Sequence, residues 1–273
     1  MSRVCFVTLF DRNYMQQAAV LIQSLHDNYP SARGNIDFIC LTDREDLSVI
    51  KTISSWVSAP NFNIKYREVV APDSANIKSL GDSNWRTNIS WYRLFLGSTL
   101  HDYDKVIFFD ADMMAVSDLS YILDFPMYGK FLACVDASDD AAFRGMDDIT
   151  TFHTGMFIAD LNWWRESGVE EVFSLHMQTV PPSLYVEEEL FNIYMRDVWY
   201  AIPFTFNFYY FYRDDDGDCI WDRSYLPFYL EKAIVIHFFG RAKPWNQLQV
   251  KGTRDTSKLG IKWRMYRDNL RIT

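Results

Sequence analysis

Lys105-Val-Ile-Phe-Phe-Asp-Ala-Asp-Met-Met114 is the stretch on which the reading of the fold turns. Four apolar residues, Val106, Ile107, Phe108 and Phe109, run unbroken into Asp110, Ala111 and Asp112. A short apolar run of this kind predicts a strand buried on both faces. Two carboxylates at its carboxyl end lie where open α/β sheets place their ligands. If the strand continues, residues i and i+2 point the same way, and Asp110 and Asp112 would grip one divalent cation together. The competing reading is an acidic turn, solvated or capping, which is the commoner fate of Asp-x-Asp. The pair gains weight only from a third ligand and a phosphate partner elsewhere in the chain.

Upstream, residues 4–10 read as a first strand. Tyr14, Ala18, Leu21, Ile22 and Leu25 then recur at helical spacing until Tyr29-Pro30 ends the run. Residues 36–41 predict a second strand, 46–57 a second helix and 63–70 a third strand. Residues 71–84 are polar and punctuated, hence a loop, and a helix over about 85–100 feeds the Asp-x-Asp strand. This alternation argues for a parallel, doubly wound α/β sheet. Beyond residue 115 the alternation loosens. Strands are expected near 131–135 and 156–159, and helices near 161–178 and 187–197. Residues 199–230 are dense in Trp, Tyr and Phe, broken by Asp214-Asp-Asp-Gly-Asp218. No Pro/Gly/Ser linker, repeat or low-complexity tract intervenes, so one domain over 1–273 is expected, with a front half of 1–115, a back half of 116–245 and a tail of 246–273.

A chain of 273 residues, 49% hydrophobic and 17% aromatic, can bury a sizeable core without staples. Its net charge of −9 argues against a general polyanion binder, and no nucleic-acid partner is expected. Cys5, Cys40, Cys134 and Cys219 are scattered, three of them in apolar strand-like runs, which suits buried free thiols in a reducing compartment. No apolar stretch approaches the roughly 20 residues of a membrane span. The apolar N-terminus is too short for a signal peptide and lacks a cleavage pattern, so a cytoplasmic protein is expected. A homodimer is left open.

The third ligand comes late. Residues 233–236 predict a last strand that delivers His237 at its carboxyl end, followed by Phe-Phe-Gly-Arg-Ala-Lys-Pro-Trp245. A lone strand-end histidine is more often structural. Beside two carboxylates, however, a neutral imidazole makes a good set for Mn²⁺. Gly240 would let the backbone approach a ligand, and Lys243 would reach the phosphates that the cation holds.

Strand-Asp-x-Asp together with strand-His-x-x-Gly-x-x-Lys-Pro-Trp resembles the retaining glycosyltransferases of the glycogenin and lipooligosaccharide galactosyltransferase family, family 8 of the sugar transferases, over residues 4–245. The resemblance implies a GT-A (Rossmann-like) fold with a mixed, mainly parallel sheet. It also implies Mn²⁺ (or Mg²⁺), a UDP-sugar donor carrying glucose or galactose, and a saccharide or other hydroxyl acceptor. Phe6-Val-Thr-Leu9, with Thr8, and Tyr14 match the uridine-binding opening, Tyr14 stacking on uracil. Arg93 matches a basic position at the pyrophosphate or donor sugar. Asp110 and Asp112, with Ala111 between them, and His237 match the metal-binding set, and Gly240 and Lys243 the diphosphate contacts. Asp136 matches an acidic residue that holds donor-sugar hydroxyls.

Departures from the family pattern stand beside these matches. Phe152-His-Thr-Gly155 replaces Phe-Asn-Ser-Gly or Phe-Asn-Ala-Gly, so His153 stands where an amide usually touches the donor sugar. Glu187-Glu188 replaces Asp-Gln, which puts a carboxylate at Glu188 facing the anomeric carbon. A retaining double displacement needs such a carboxylate, whereas same-face attack does not. Apart from the resemblance, the run from Glu187 to Glu189 reads as a solvated helix start. Ser224-Tyr-Leu-Pro227 is kept, but Arg223 occupies the position of glycogenin's acceptor tyrosine, which excludes self-glucosylation there. The aromatic stretch 204–230 reads either as packing or as an acceptor platform. Two alternatives compete with the transferase: a UDP-sugar-binding module without turnover, and a phosphohydrolase with Asp110 as nucleophile.

Overall fold

The structure is a computed structural model, and it describes residues 3–42, 47–71, 88–137, 151–180, 187–209, 226–238, 243–246 and 258–271. The first half alternates as its periodicity predicts: β1 (Val4–Leu9), α1 (Met15–Asp27), β2 (Ile36–Thr42), α2 (Leu47–Trp56) and β3 (Phe62–Glu68). A short helix α3 (Leu96–Thr99) leads into β4 (Lys105–Asp110) and β5 (Met113–Ala115). Then come α4 (Ser120–Leu123), β6 (Leu132–Asp136), β7 (Phe152–Asp160), α5 (Leu161–Glu166), α6 (Val169–Thr179) and α7 (Glu187–Tyr194). The chain continues through β8 (Trp199–Ile202), β9 (Phe208–Tyr209), α8 (Leu226–Lys232), β10 (Val235–His237) and α9 (Lys258–Asn269).

Seven strands form the main sheet in the order β3-β2-β1-β4-β7-β6-β8. The pairs β3–β2, β2–β1, β1–β4 and β6–β8 are parallel, whereas β7 runs antiparallel to both β4 and β6. The sheet is therefore mixed and mainly parallel, as the family resemblance implies, and the strand–helix alternation of the first half supplies its parallel part. β7 follows β6 with no helix between them among the described residues, and an antiparallel pair needs no crossover helix. A second sheet, β5-β10-β9, stands apart from the first.

Alternate strand residues feed two cores. Phe6, Ile107, Phe109, Met156 and Ile158 face one side, under α1, α2 and α9. Cys5, Val7, Val106, Phe108 and Phe157 face the other, under α5, α6 and α7. Phe6 meets Phe109 edge-on at 5.5 Å, and Phe108 stacks on Phe157 at 4.8 Å. Each such ring, fully buried, contributes about 1.5–3 kcal/mol. Cys5, Cys40 and Cys134 are free and buried, as their apolar runs predict, and Cys219 lies outside the described residues.

Several expectations are corrected. The helix expected over 85–100 is, from residue 88, a 3-10 run over Asn88–Phe95 followed by α3. Ile89, Trp91, Tyr92 and Phe95 are poor helix formers, and burying Trp91, Leu94 and Phe95 decides the geometry. The helix expected over 161–178 breaks at Gly168, whose φ of +68° ends α5 and lets α6 start in a new direction. The strand expected at 156–159 begins four residues earlier, so Phe152-His-Thr-Gly155 belongs to it. The segment expected only as a tail supplies α9, whose Trp263 is fully buried against Trp245 at 5.0 Å. Among the described residues no helix is long and apolar enough to cross a membrane.

Candidate functional site

β4 ends at Asp110, and Ala111 and Asp112 form a turn into β5. The geometric reason first given for the acidic pair is thus overturned: the strand does not continue through it. Asp110 stays on the face of Phe108, where Arg93 also lies, its guanidinium 5.1 Å from the Phe108 ring. Asp112 turns toward the small sheet and His237. The two carboxylates still converge, because donor atoms of Asp110, Asp112 and His237 all lie within 4.8 Å of one another.

Each carboxylate has its own cationic partner. Arg93 Nη2 donates to Asp110 Oδ1 at 2.8 Å, and Lys243 Nζ donates to Asp112 Oδ2 at 2.8 Å. His237 Nε2 lies 3.1 Å from Asp112 Oδ1. The backbone N–H of Phe238 donates to the Asp112 carbonyl at 3.0 Å, and Lys243 Nζ also donates to the Phe238 carbonyl. β10 is paired antiparallel to β5, His237 opposite Met113. The third ligand therefore arrives at the carboxyl end of its strand, as expected, and that strand belongs to the small sheet. Burial pushes the Asp110 carboxyl up, to about 6, with Arg93 pulling it down and Asp112 adding to the rise. Burial would raise Asp112 too, but Lys243 and His237 outweigh it and hold this carboxyl far below the usual range.

Arg93 does more than neutralise Asp110. Its Nη1 donates to the Thr154 carbonyl and hydroxyl at 3.2 and 3.3 Å, and its Nε to the Ser90 carbonyl at 3.1 Å. Burial would weaken its charge, and Asp110, Glu187 and Glu188 together keep its pKa above the ordinary value. Glu188 Oε1 accepts from the Thr154 N–H at 2.8 Å and from its hydroxyl at 3.3 Å. Glu187 and Glu188 are both buried, which overturns the solvated helix-start reading. Asn192 fixes them: its amide pairs with the Phe152 N–H and carbonyl at 2.8 and 3.0 Å and with the Glu188 carbonyl at 2.9 Å, clamping α7 to β7.

His153 and His237 meet edge to face, their ring centroids 5.2 Å apart. Burial pushes the His153 pKa down to about 4, so its ring is neutral at neutral pH. Its Nδ1 lies 3.0 Å from the Gly155 backbone N, 3.1 Å from Asn207 Nδ2 and 3.7 Å from Glu188 Oε1. Asn207 Oδ1 is 3.0 Å from His237 Nδ1. The pairing of β6 with β7 slips here, from Cys134 opposite Phe157 to Val135 opposite His153. The residues left over on β7 include Thr154 and Gly155, and such irregularities commonly re-aim side chains beside active sites.

Tyr14 flanks the carboxylates, since after burial the charges of Asp112, Asp11 and Asp110 are what raise its pKa to about 12. Asp11 caps it, accepting from the Asn13 and Tyr14 N–H groups at 2.8 and 3.2 Å. The Tyr14 ring sits edge-on to Trp245 at 6.2 Å, and Lys243 Nζ lies 5.5 Å from the same indole. Thr8 is fully buried on β1 beside Phe109, and its hydroxyl has no hydrogen-bond partner among the described residues. Ala111 is buried between the carboxylates, and Asp136 is exposed at the end of β6, paired in register with Phe152. Gly240, Asp214–Asp218 and Arg223 lie outside the described residues. Of the expected residues the structure thus brings Tyr14, Arg93, Asp110, Asp112, His153, Glu187, Glu188, His237 and Lys243 into one interacting group. Sequence reasoning missed Thr154, Gly155, Asn192 and Asn207. The one signal for Asn207 is an amide inside the apolar run Phe204-Thr-Phe-Asn-Phe208, where a buried amide must find partners.

The donor set fits a small divalent cation. Two carboxylates and an imidazole are ligands that Mn²⁺ accepts. Ligands about 2.1 Å from one ion stand roughly 3–4.2 Å apart, within the span these three groups offer.

The sequence profile described as "Glycosyl transferase family 8" matches residues 5–249. The lipopolysaccharide 1,2-glucosyltransferase of Escherichia coli K12 is 20% identical over 271 residues, covering 95% of this chain and 78% of that one. Glycosyltransferase GlyF of Streptococcus pneumoniae is 24% identical over 186 residues, covering 66% of this chain and 42% of its own longer one. The galactosyltransferase LgtC, solved with donor and acceptor sugar analogs, superposes with a TM-score of 0.73 at 16% identity, covering 99% of this chain and 97% of that one.

Proposed function

The chain belongs to glycosyl transferase family 8 and has the GT-A fold, and from that premise we propose that it is a metal-dependent, retaining hexosyltransferase. Its donor is a UDP-sugar, glucose or galactose, and its acceptor a saccharide or another hydroxyl-bearing molecule. The observation that carries this reading is the convergence of Asp110, Asp112 and His237, with Lys243 bound to the same Asp112 carboxylate. When bound there, Mn²⁺ or Mg²⁺ supplies positive charge to a departing diphosphate as a Lewis acid.

The chain's own residues divide the remaining work. Lys243 places a second positive charge beside the diphosphate, within reach of the carboxylate it now holds. Tyr14 offers its ring to the uracil, with Thr8 at the base of the same wall. Arg93 ties Asp110 to Thr154 and so fixes the carboxylates relative to the sugar-facing side of β7. Glu188, held by Thr154, carries negative charge next to the reacting sugar, with Glu187 behind it and Asp136 on the sugar hydroxyls. His153 is neutral and replaces the amide usual in relatives as a donor-sugar contact. Gly240 lets the backbone approach the diphosphate. The chain acts as a single domain in the cytoplasm, which agrees with three buried free thiols. The phosphohydrolase alternative falls with the family assignment.

The experiment is UDP release from UDP-glucose and UDP-galactose with a panel of saccharide acceptors, before and after EDTA. Activity should vanish on chelation and return with Mn²⁺. Asp112→Asn should lower turnover at least about a hundredfold, because charge neutralisation is usually the largest catalytic term. Undiminished activity in excess EDTA sinks the metal assignment. Metal-dependent UDP-sugar binding without release under any acceptor would favour the binding module.

A further inference from the structure

The two buried histidines are joined through one amide, and one end of that chain of contacts is unambiguous. A backbone N–H can only donate, so the Gly155 N–H, 3.0 Å away, makes His153 Nδ1 an acceptor. A neutral imidazole with a bare Nδ1 carries its proton on Nε2. Asn207 stands 3.1 Å from the same Nδ1, and the atom facing an acceptor must be the amide NH₂. That orientation puts the Asn207 carbonyl 3.0 Å from His237 Nδ1. A carbonyl accepts, so His237 Nδ1 must carry a proton. His237 Nε2, 3.1 Å from Asp112 Oδ1, is then the nitrogen left for a cation.

We propose that Asn207 is a positioning residue that sets the tautomers of both histidines, so that His237 presents the lone pair of Nε2 to the cation held with Asp110 and Asp112. The proposal rests on the metal reading above, and it adds a residue that touches neither substrate nor ion. Histidine ligands almost always donate their second ring N–H, and the partner fixes tautomer and ring orientation. Here the partner is an amide, and its other end reaches a second histidine. One donor on β7 thereby determines which nitrogen faces the metal on β10, across the junction of two sheets. The amide is buried, as are both rings, so no other hydrogen-bond direction is open to it without leaving a polar group unsatisfied.

The experiment is ¹⁵N–¹H correlation NMR of the imidazole rings in the full chain, with and without Mg²⁺. It should show His237 protonated on Nδ1 in both samples and His153 protonated on Nε2 only. A bare Nδ1 on His237, or a proton on His153 Nδ1, overturns the proposal, and this measurement needs no variant. Mn²⁺ affinity, read from the electron paramagnetic resonance of free Mn²⁺, should fall about 10–100-fold in Asn207→Ala. Asn207→Asp keeps the acceptor for His237 and should bind Mn²⁺ within about threefold of the parent, with His153 Nδ1 still bare because the Gly155 N–H donates to it. Parental affinity in Asn207→Ala, or no rescue by Asn207→Asp, also overturns the proposal. A parent protein that binds no Mn²⁺ sinks the metal reading instead, and the tautomers are then judged by NMR alone.

Discussion

Gly155→Ala tests how tightly the two histidines are packed against β7. A Cβ added at Gly155 would lie 2.6 Å from His237 Cε1, 2.8 Å from its Nδ1 and 3.0 Å from His153 Cε1. The glycine does not have a positive φ, so the backbone itself tolerates alanine and the cost is steric. To reach an ordinary contact of 3.4 Å from 2.6 Å, the His237 ring must withdraw by about 0.8 Å. It cannot do so freely, since Nδ1 is held by Asn207 and Nε2 lies against Asp112. Overpacking of this kind costs about 1–3 kcal/mol. For a chain of this size that lowers Tm by roughly 2–10 °C. A ligand displaced by more than about 0.5 Å no longer holds productive geometry. Mn²⁺ affinity should accordingly fall about 10–100-fold, as for loss of a ligand's supporting contact. The assay is Mn²⁺ titration alongside thermal unfolding, with Gly168→Ala as control. That glycine has a φ of +68° and only a side-chain oxygen 3.5 Å from the added Cβ, so alanine there costs about 1–2 kcal/mol of backbone strain. It should leave Mn²⁺ binding untouched. Parental Mn²⁺ affinity in folded Gly155→Ala would refute the reasoning.

Three further outcomes are expected. Tyr14→Ala should weaken UDP binding by about 1–3 kcal/mol, the range for base–aromatic stacking, and calorimetry giving GDP and UDP equal affinity would contradict the assignment. Glu188→Gln keeps a carbonyl acceptor for the Thr154 N–H, so folding should survive. A loss of turnover near tenfold then marks a charge beside the sugar, whereas a loss near a thousandfold with UDP affinity unchanged marks a nucleophile. On the edge strand β3, Arg67 Nη2 donates to Asp102 Oδ2 at 2.7 Å, and the Asp102 pKa is lowered to about 2. A folded-state pKa below the unfolded value gives stability that is present above pH of about 4 and lost as pH falls through about 2. The stability gap between the parent and Asp102→Asn should thus close over that window in acid denaturation followed by circular dichroism; a gap unchanged from pH 6 to pH 2 would count against the pairing.

Much of this architecture can be read from periodicity because a strand buried on both faces has only one way to spell itself. Val106, Ile107, Phe108 and Phe109 supply both cores at once, and the acidic residues that follow have nowhere to go but the sheet's carboxyl edge. The identity of the metal candidates was legible; their geometry was not. Asp110 and Asp112 converge through a turn whose course is set by β5 pairing with β10, a contact between residues more than a hundred positions apart. Burial of Glu188 was hidden for a similar reason, since three adjacent glutamates read as solvated until Thr154 and Asn192 are known to face them. Trp263 lies in a helix interleaved with Lys258, Lys262, Arg264 and Arg267, and Trp245 and the first core give it a place.

Asp110 closes a strand of the large sheet, Asp112 lies in the turn that enters the small one and His237 ends a strand of it, so the cation site lies on the seam between two separately hydrogen-bonded layers. An ion held there acts as a rivet. Among the described residues the strands of the small sheet span only two or three residues and have few ladder bonds of their own, so its attachment to the large one is the weaker joint. Binding confined to the native arrangement stabilises it by RT ln(1 + [L]/Kd), about 2.7 kcal/mol at a hundredfold excess over Kd. Most of that gain falls on the joint. Amide protons of β5 and β10 should therefore slow their exchange with solvent on Mn²⁺ loading, while those of β2 and β3 keep their rates.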